Sequence, residues 1–98
     1  MSPGPRVLVQ EWGITHADFF RGLPGAVRGG RYTVEGDTVR IEAGSGRVSI
    51  ALGPEGERRI ASLRLPVTQL EFRFEGLDPS AAEAFLADFS RHYQRGGG

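Results

Sequence analysis

The sequence predicts an α+β fold: a single domain in which a curved antiparallel sheet of about five to six strands packs against a C-terminal helix, with a short helix near the amino end. Three observations carry this. Between Glu57 and Glu75 lie two strongly alternating runs, Ala61, Leu63 and Leu65, then Leu70, Phe72 and Phe74, each on one face by the two-residue period of a strand. Upstream, three more alternating segments follow one another with short glycine-containing connections, the pattern of an antiparallel meander with one buried face. From Ala82 to Tyr93 the apolar period lengthens to that of a helix, which supplies a cover for that face.

In chain order, Ser2 to Pro5 reads as a mobile tail, and Val7–Glu11 as a short strand suited to a sheet edge. Thr15 is a sound N-cap for a first helix, with Asp18 at the third helical position. Ile14 and Phe19 are spaced as a hydrophobic staple. Pro24-Gly25 should end this helix after about two turns. Tyr32 and Val34 then alternate with Arg31, Thr33 and Glu35, and Gly36-Asp37 suits a two-residue hairpin. Val39, Ile41 and Ala43 form the next apolar row, Gly44-Ser45-Gly46 the next turn, and Val48, Ile50 and Leu52 the row after it.

Gly53-Pro54-Glu55-Gly56 is expected to turn the chain into the Glu57–Glu75 stretch. There the apolar parity changes from odd to even positions across Pro66-Val67-Thr68-Gln69, which requires an inserted residue or a reversal. Pro66 lacks a backbone donor. Two strands joined at Pro66–Gln69 are therefore expected, with one long bulged strand as the alternative. Asp78 caps the last helix with Pro79 in its first turn, and Ser80 with Glu83 offers a competing capping box. Ala82, Phe85, Leu86, Phe89 and Tyr93 share the apolar face, and Gly96-Gly97-Gly98 should end the helix, leaving 95–98 as a second flexible tail. This order resembles a reduced helix-grip arrangement, a likeness of architecture that implies no activity.

Composition excludes several functions. Twelve acidic and twelve basic residues cancel, so no overall field draws the protein to nucleic acid or to an anionic membrane. No apolar run approaches the roughly 18 residues of a membrane span. The amino end lacks the apolar core of a signal peptide, and a cytoplasmic protein is expected. Without cysteine there is no disulfide, thiolate catalysis or thiolate-bound zinc. All the basic residues are Arg, and Lys and Asn are absent, a bias that a GC-rich, bacterial-like genome accounts for.

No constellation of catalytic residues emerges. His16 and Asp18 are two apart on a predicted helix and point away from each other, and His16 with His92 lacks a third ligand, so neither a metal nor another cofactor is expected. Gly29-Gly30-Arg31 and Gly44-Ser45-Gly46 do not lead from strand to helix, so they are not phosphate cradles. The outer sheet face should carry Arg40, Glu42, Arg47, Arg64, Glu71 and Arg73, whose mixed signs favour pairing among themselves over RNA binding. Arg59 breaks the pattern, falling by parity with Ala61, Leu63 and Leu65, either as a site or because the strand is bulged there.

The tail Tyr93–Gly98 resembles the flexible Gly-Gly end of ubiquitin-like sulfur carriers over its last residues. Those carriers release the tail from a sheet, whereas here it follows a helix and ends in a third glycine. The leading expectation is a small non-enzymatic accessory or protein-interaction domain, acting as a homodimer or on a protein partner. The alternatives are, in order, a binder of a small apolar ligand between helix and sheet and a carrier-type protein that uses its C-terminal glycines. The candidate ligand-contact residues are Trp12, His16, Phe20, Tyr32, Arg59 and Phe85.

Overall fold

The computed structural model describes residues 6–96. The expected tails at 1–5 and 97–98 lie outside them. Six strands and two helices follow in the order β1 (Arg6–Trp12), α1 (His16–Ala26), β2 (Tyr32–Glu35), β3 (Thr38–Ala43), β4 (Gly46–Leu52), β5 (Gly56–Ile60), β6 (Leu63–Glu75) and α2 (Pro79–Gly96). The sheet is antiparallel and open, in the order β1-β6-β4-β3-β2, and β5 pairs only with β6. This is the predicted α+β architecture.

The core forms where the alternating rows meet the helices. Val39, Ile41, Val48, Ile50, Leu52, Leu70, Phe72 and Phe74 are buried beneath Phe19 and Leu23 of α1 and Ala82 and Phe89 of α2. Both helix starts are capped as their sequences require. Thr15 Oγ1 accepts from the Asp18 N–H at 3.0 Å, and Asp78 Oδ1 accepts from the Ala81 N–H at 2.8 Å, so the Ser80 box is not used. The helices approach closely at glycines: a Cβ on Gly22 would collide with the Tyr93 ring, and one on Gly25 with the His92 ring. On β2, Val34 opposes buried Val39 yet is exposed, because the helical cover does not reach this sheet edge.

Four expectations are corrected. Helix α1 runs on through Pro24 to Ala26. The proline removes one N–H near the helix end, while the next groups are satisfied by Val27 N–H to Leu23 O and Arg28 N–H to Gly25 O. Helix α2 continues through Arg95 to Gly96. The Gly44-Ser45-Gly46 turn is shorter than expected, since Ala43 already pairs with Gly46. The largest correction concerns the Glu57–Glu75 stretch, where the chain does not turn at Pro66–Gln69.

Strand β6 instead runs unbroken from Leu63 to Glu75, and the reversal falls earlier, at Ala61-Ser62, between the paired Ile60 and Leu63. The extra residue belongs to the neighbouring strand. Leu52 pairs with Leu70 and Gly56 with Val67, so four steps on one side match three on the other, a bulge at Pro54-Glu55 opposite Thr68. Residues 53–56 therefore bulge rather than turn, and β5 continues the line of β4. Because β6 keeps its register, Thr68, Leu70, Phe72 and Phe74 face the core while Leu63 and Leu65 emerge on the opposite face. The apolar residues change faces, and the strand does not change parity.

Pro66 fits this strand because its missing N–H falls on the unpaired side. The Gly53 N–H donates to Gln69 O at 2.8 Å, so odd-numbered residues of β6 turn their backbone groups towards β4 and β5. Even-numbered residues turn theirs towards β1. Strand β1 ends at Trp12 opposite Thr68, so at Pro66 that side has no neighbouring strand and no ladder bond is lost. Strands β5 and the first part of β6 thus project past the core as a two-stranded arm, and the molecule measures 51 × 28 × 25 Å.

Candidate functional site

The six residues singled out from the sequence do not form one site. Trp12, at the end of β1, sits in an aromatic cluster with ring centroids 6.4 Å from Phe19, 5.9 Å from Phe72, 6.1 Å from Phe89 and 5.3 Å from Tyr93. Phe20 meets Phe19 edge-on at 5.5 Å, and Phe85 stacks on Phe89 at 5.4 Å. Tyr32 lies half-buried on β2, towards the other edge of the sheet. These rings fill the space between helix and sheet. A cleft of about 910 Å³ opens beside them instead, between the end of β1 and the two helices, and of the six residues only Trp12 lines it.

Several of the polar groups around that cleft are already paired. The Trp12 indole N–H donates to Gln10 Oε1 at 2.9 Å, and Arg21 pairs with Asp18 at 2.9 Å. The Tyr93 hydroxyl donates to Phe19 O at 2.6 Å. Burial, and secondarily the Tyr32 phenol, holds that hydroxyl neutral well above the ordinary tyrosine range.

His16 has a joining role. Its ring Nε2 lies 2.6 Å from Gly53 O, which assigns the proton to that nitrogen, while Nδ1 stands 3.9 Å from the Asp37 carboxylate. The His16 backbone N–H donates to Glu55 Oε1 at 2.5 Å. One residue thus ties the start of α1 to the bulge at the root of the arm, beside the β2–β3 turn. Among the described residues no group of three His, Cys, Asp or Glu side chains is placed to share a metal ion. His16 lies at the start of α1 and His92 packs near its end, against Gly25.

Arg59 is placed by the arm. It pairs across β5 and β6 with Arg64, on the face continuous with the core, but beyond the point where the core ends. The arginine parity that looked anomalous is therefore an exposed position that needs no partner for burial. The other face of the arm carries Ile60, Leu63 and Leu65, exposed at 53%, 60% and 41%. Arg58 lies on that face too and forms an ion pair with Glu11 of β1. Among the described residues, no carboxylate comes within ion-pair distance of Arg59 or Arg64, although like charges placed directly opposite repel.

Sequence reasoning missed the arm because Ala61-Ser62 has none of the usual Gly, Asn or Asp turn chemistry, and Ala61 takes a positive φ of 55°. The remaining signal was the pairing of Ile60 with Leu63 across two residues. Elsewhere on the outer face, charged side chains neutralise one another: Arg40 with Glu35 at 2.9 Å, Arg73 with Glu71 at 3.7 Å and Arg47 with Glu42 at 3.8 Å. No family model, curated protein or solved structure matches this chain.

Proposed function

We propose that this protein is a non-enzymatic accessory domain of the cytoplasm that contacts a protein partner through the β5–β6 arm. The single observation that carries the reading is the arm itself, a hairpin beyond the core with three branched apolar side chains turned to solvent. Exposed apolar side chains gathered on one projecting element mark contact surfaces, whereas scattered ones are ordinary. The opposite face of the arm carries the opposed Arg59 and Arg64, so the partner chemistry that fits is an apolar patch with carboxylates at its rim that reach round the hairpin. Nucleic acid fits less well, because base stacking needs exposed rings and the aromatic residues gather against the core. No helix among the described residues is long and apolar enough to cross a membrane.

Crosslinking in the native host, comparing the wild type with an I60E/L63E/L65E variant and with R91A, tests this. One protein should crosslink to the wild type and to R91A, and be lost with the arm variant. Equal recovery with all three would end the arm reading. A second reading, a small-ligand binder, is favoured only by the cleft beside Trp12. There a bound hydrophobic dye would quench or shift the fluorescence of the single tryptophan.

A further inference from the structure

The edges of the sheet are not equally protected. Strand β2 is four residues long. The free side of β6 along the arm presents the backbone of Arg64 and Pro66, and Pro66 has no N–H to offer. The free side of β5 presents Glu57 and Arg59, both charged. Strand β1 differs from all three: it is seven residues long, contains no proline, and among the described residues no strand lies on its outer side.

Its backbone orientation follows from the register. Even-numbered residues of β6 face β1, and Leu8 is opposite Phe72, so the even residues of β1 bond inward. Val7, Val9 and Glu11 turn their N–H and C=O groups outward. The side chains of Val7 and Val9 are 46% and 52% exposed on the outer face, and the carboxylates beside them are paired with arginines, Glu11 with Arg58 and Glu71, opposite Val9, with Arg73. An exposed, uninterrupted edge with β-branched residues at its outward positions is a template for strand pairing.

We infer that a second copy of this chain occupies this edge, with the two β1 strands antiparallel about a two-fold axis through Leu8. The register is set by self-complementarity. With Leu8 on the axis, each Val7 lies opposite Val9 of the second copy, and both pairs are hydrogen-bonded ones that exchange about four backbone bonds in all. The four valines then form one apolar cluster on the outer face. With Val9 on the axis instead, Val7 would face Glu11, an apolar side chain against a charged one. Each arm extends beyond the Trp12 end of its own β1, so antiparallel pairing points the two arms in opposite directions and leaves both free. A dimer through β1 goes beyond the arm-contact reading and does not depend on what the arm binds.

Sedimentation of the full chain over a roughly hundredfold dilution series tests it. The wild type should sediment as a dimer that dissociates on dilution. V7E and V9K, each complementary to its own opposite residue on β6 (Arg73 and Glu71), should each be monomeric, and the V7E/V9K double variant should dimerise again, because every introduced lysine then faces a glutamate of the second copy. L65E should dimerise like the wild type while losing arm contacts, which separates failure of the dimer from failure of the arm. Amide exchange on the unmodified protein gives a readout that needs no variant: the Val7 and Val9 amides should gain protection as concentration rises. A wild type monomeric throughout, a double variant that stays monomeric, or Val7 and Val9 amides that exchange freely at every concentration would each overturn the inference.

Discussion

Replacing Phe89 with alanine tests the central packing of the fold. Its ring is 1% exposed and stands 5.2 to 6.2 Å from the rings of Trp12, Phe19, Phe72, Phe85 and Tyr93. Truncation removes a fully buried aromatic side chain from both helices and the sheet at once. Such losses cost about 3–5 kcal/mol, combining lost transfer energy with the cavity left behind. The upper part of that range is expected, because neighbours held by two helices and a sheet collapse little into the space. Against a total of roughly 5–15 kcal/mol for a domain, that is a large share, and the melting temperature should fall by roughly 15–30 °C.

Phe85 is the control within the same stripe. It stacks on Phe89 but is only half-buried, so F85A should cost clearly less, about 1–3 kcal/mol. R91A, at an exposed position, should be within about 0.5 kcal/mol of the wild type. Urea denaturation monitored by the single tryptophan reads all three, since Trp12 lies in the cluster. If F89A and F85A lose the same stability, or F89A behaves like R91A, the aromatic cluster is not what holds the helices to the sheet.

Three further outcomes are expected. Thr68→Val keeps the shape of a fully buried side chain but removes the 2.7 Å bond from its hydroxyl to Ile14 O, and should cost about 1–3 kcal/mol by denaturant midpoint. Tyr93→Phe should flatten the alkaline limb of stability. The folded pKa of Tyr93 is raised, so its contribution is whole below the unfolded value near pH 10 and declines as pH rises above it; unfolding midpoints across that range should fall in the wild type and much less in Y93F. Gly46→Ala should cost about 1–3 kcal/mol, because the added Cβ would meet the backbone of Glu75 and Gly76, whereas Gly25→Ala meets only a movable His92 ring and should cost less.

Much of this architecture follows from local pattern. The rows Val39-Ile41, Val48-Ile50-Leu52 and Leu70-Phe72-Phe74 are buried as their alternation requires, because a period of two needs only one covered face to set it. Thr15 and Asp78 start their helices because the cap bond spans three residues and can be read locally. The stripe from Ala82 to Tyr93 was legible for the same reason. The arm was not. Alternation shows that Leu63 and Leu65 share a face, but the choice of face depends on a bulge at Pro54-Glu55 in the partner strand. Pro66 looked like a breaker because its missing N–H matters only where a neighbouring strand would have used it, and the end of β1 at Trp12 decides that none does. His16 likewise gained its role only when folding brought Gly53, Glu55 and Asp37 to it. Periodicity and capping act over a few residues, whereas the side of the sheet a residue emerges on, and the edge its backbone faces, are set by strand partners distant in sequence.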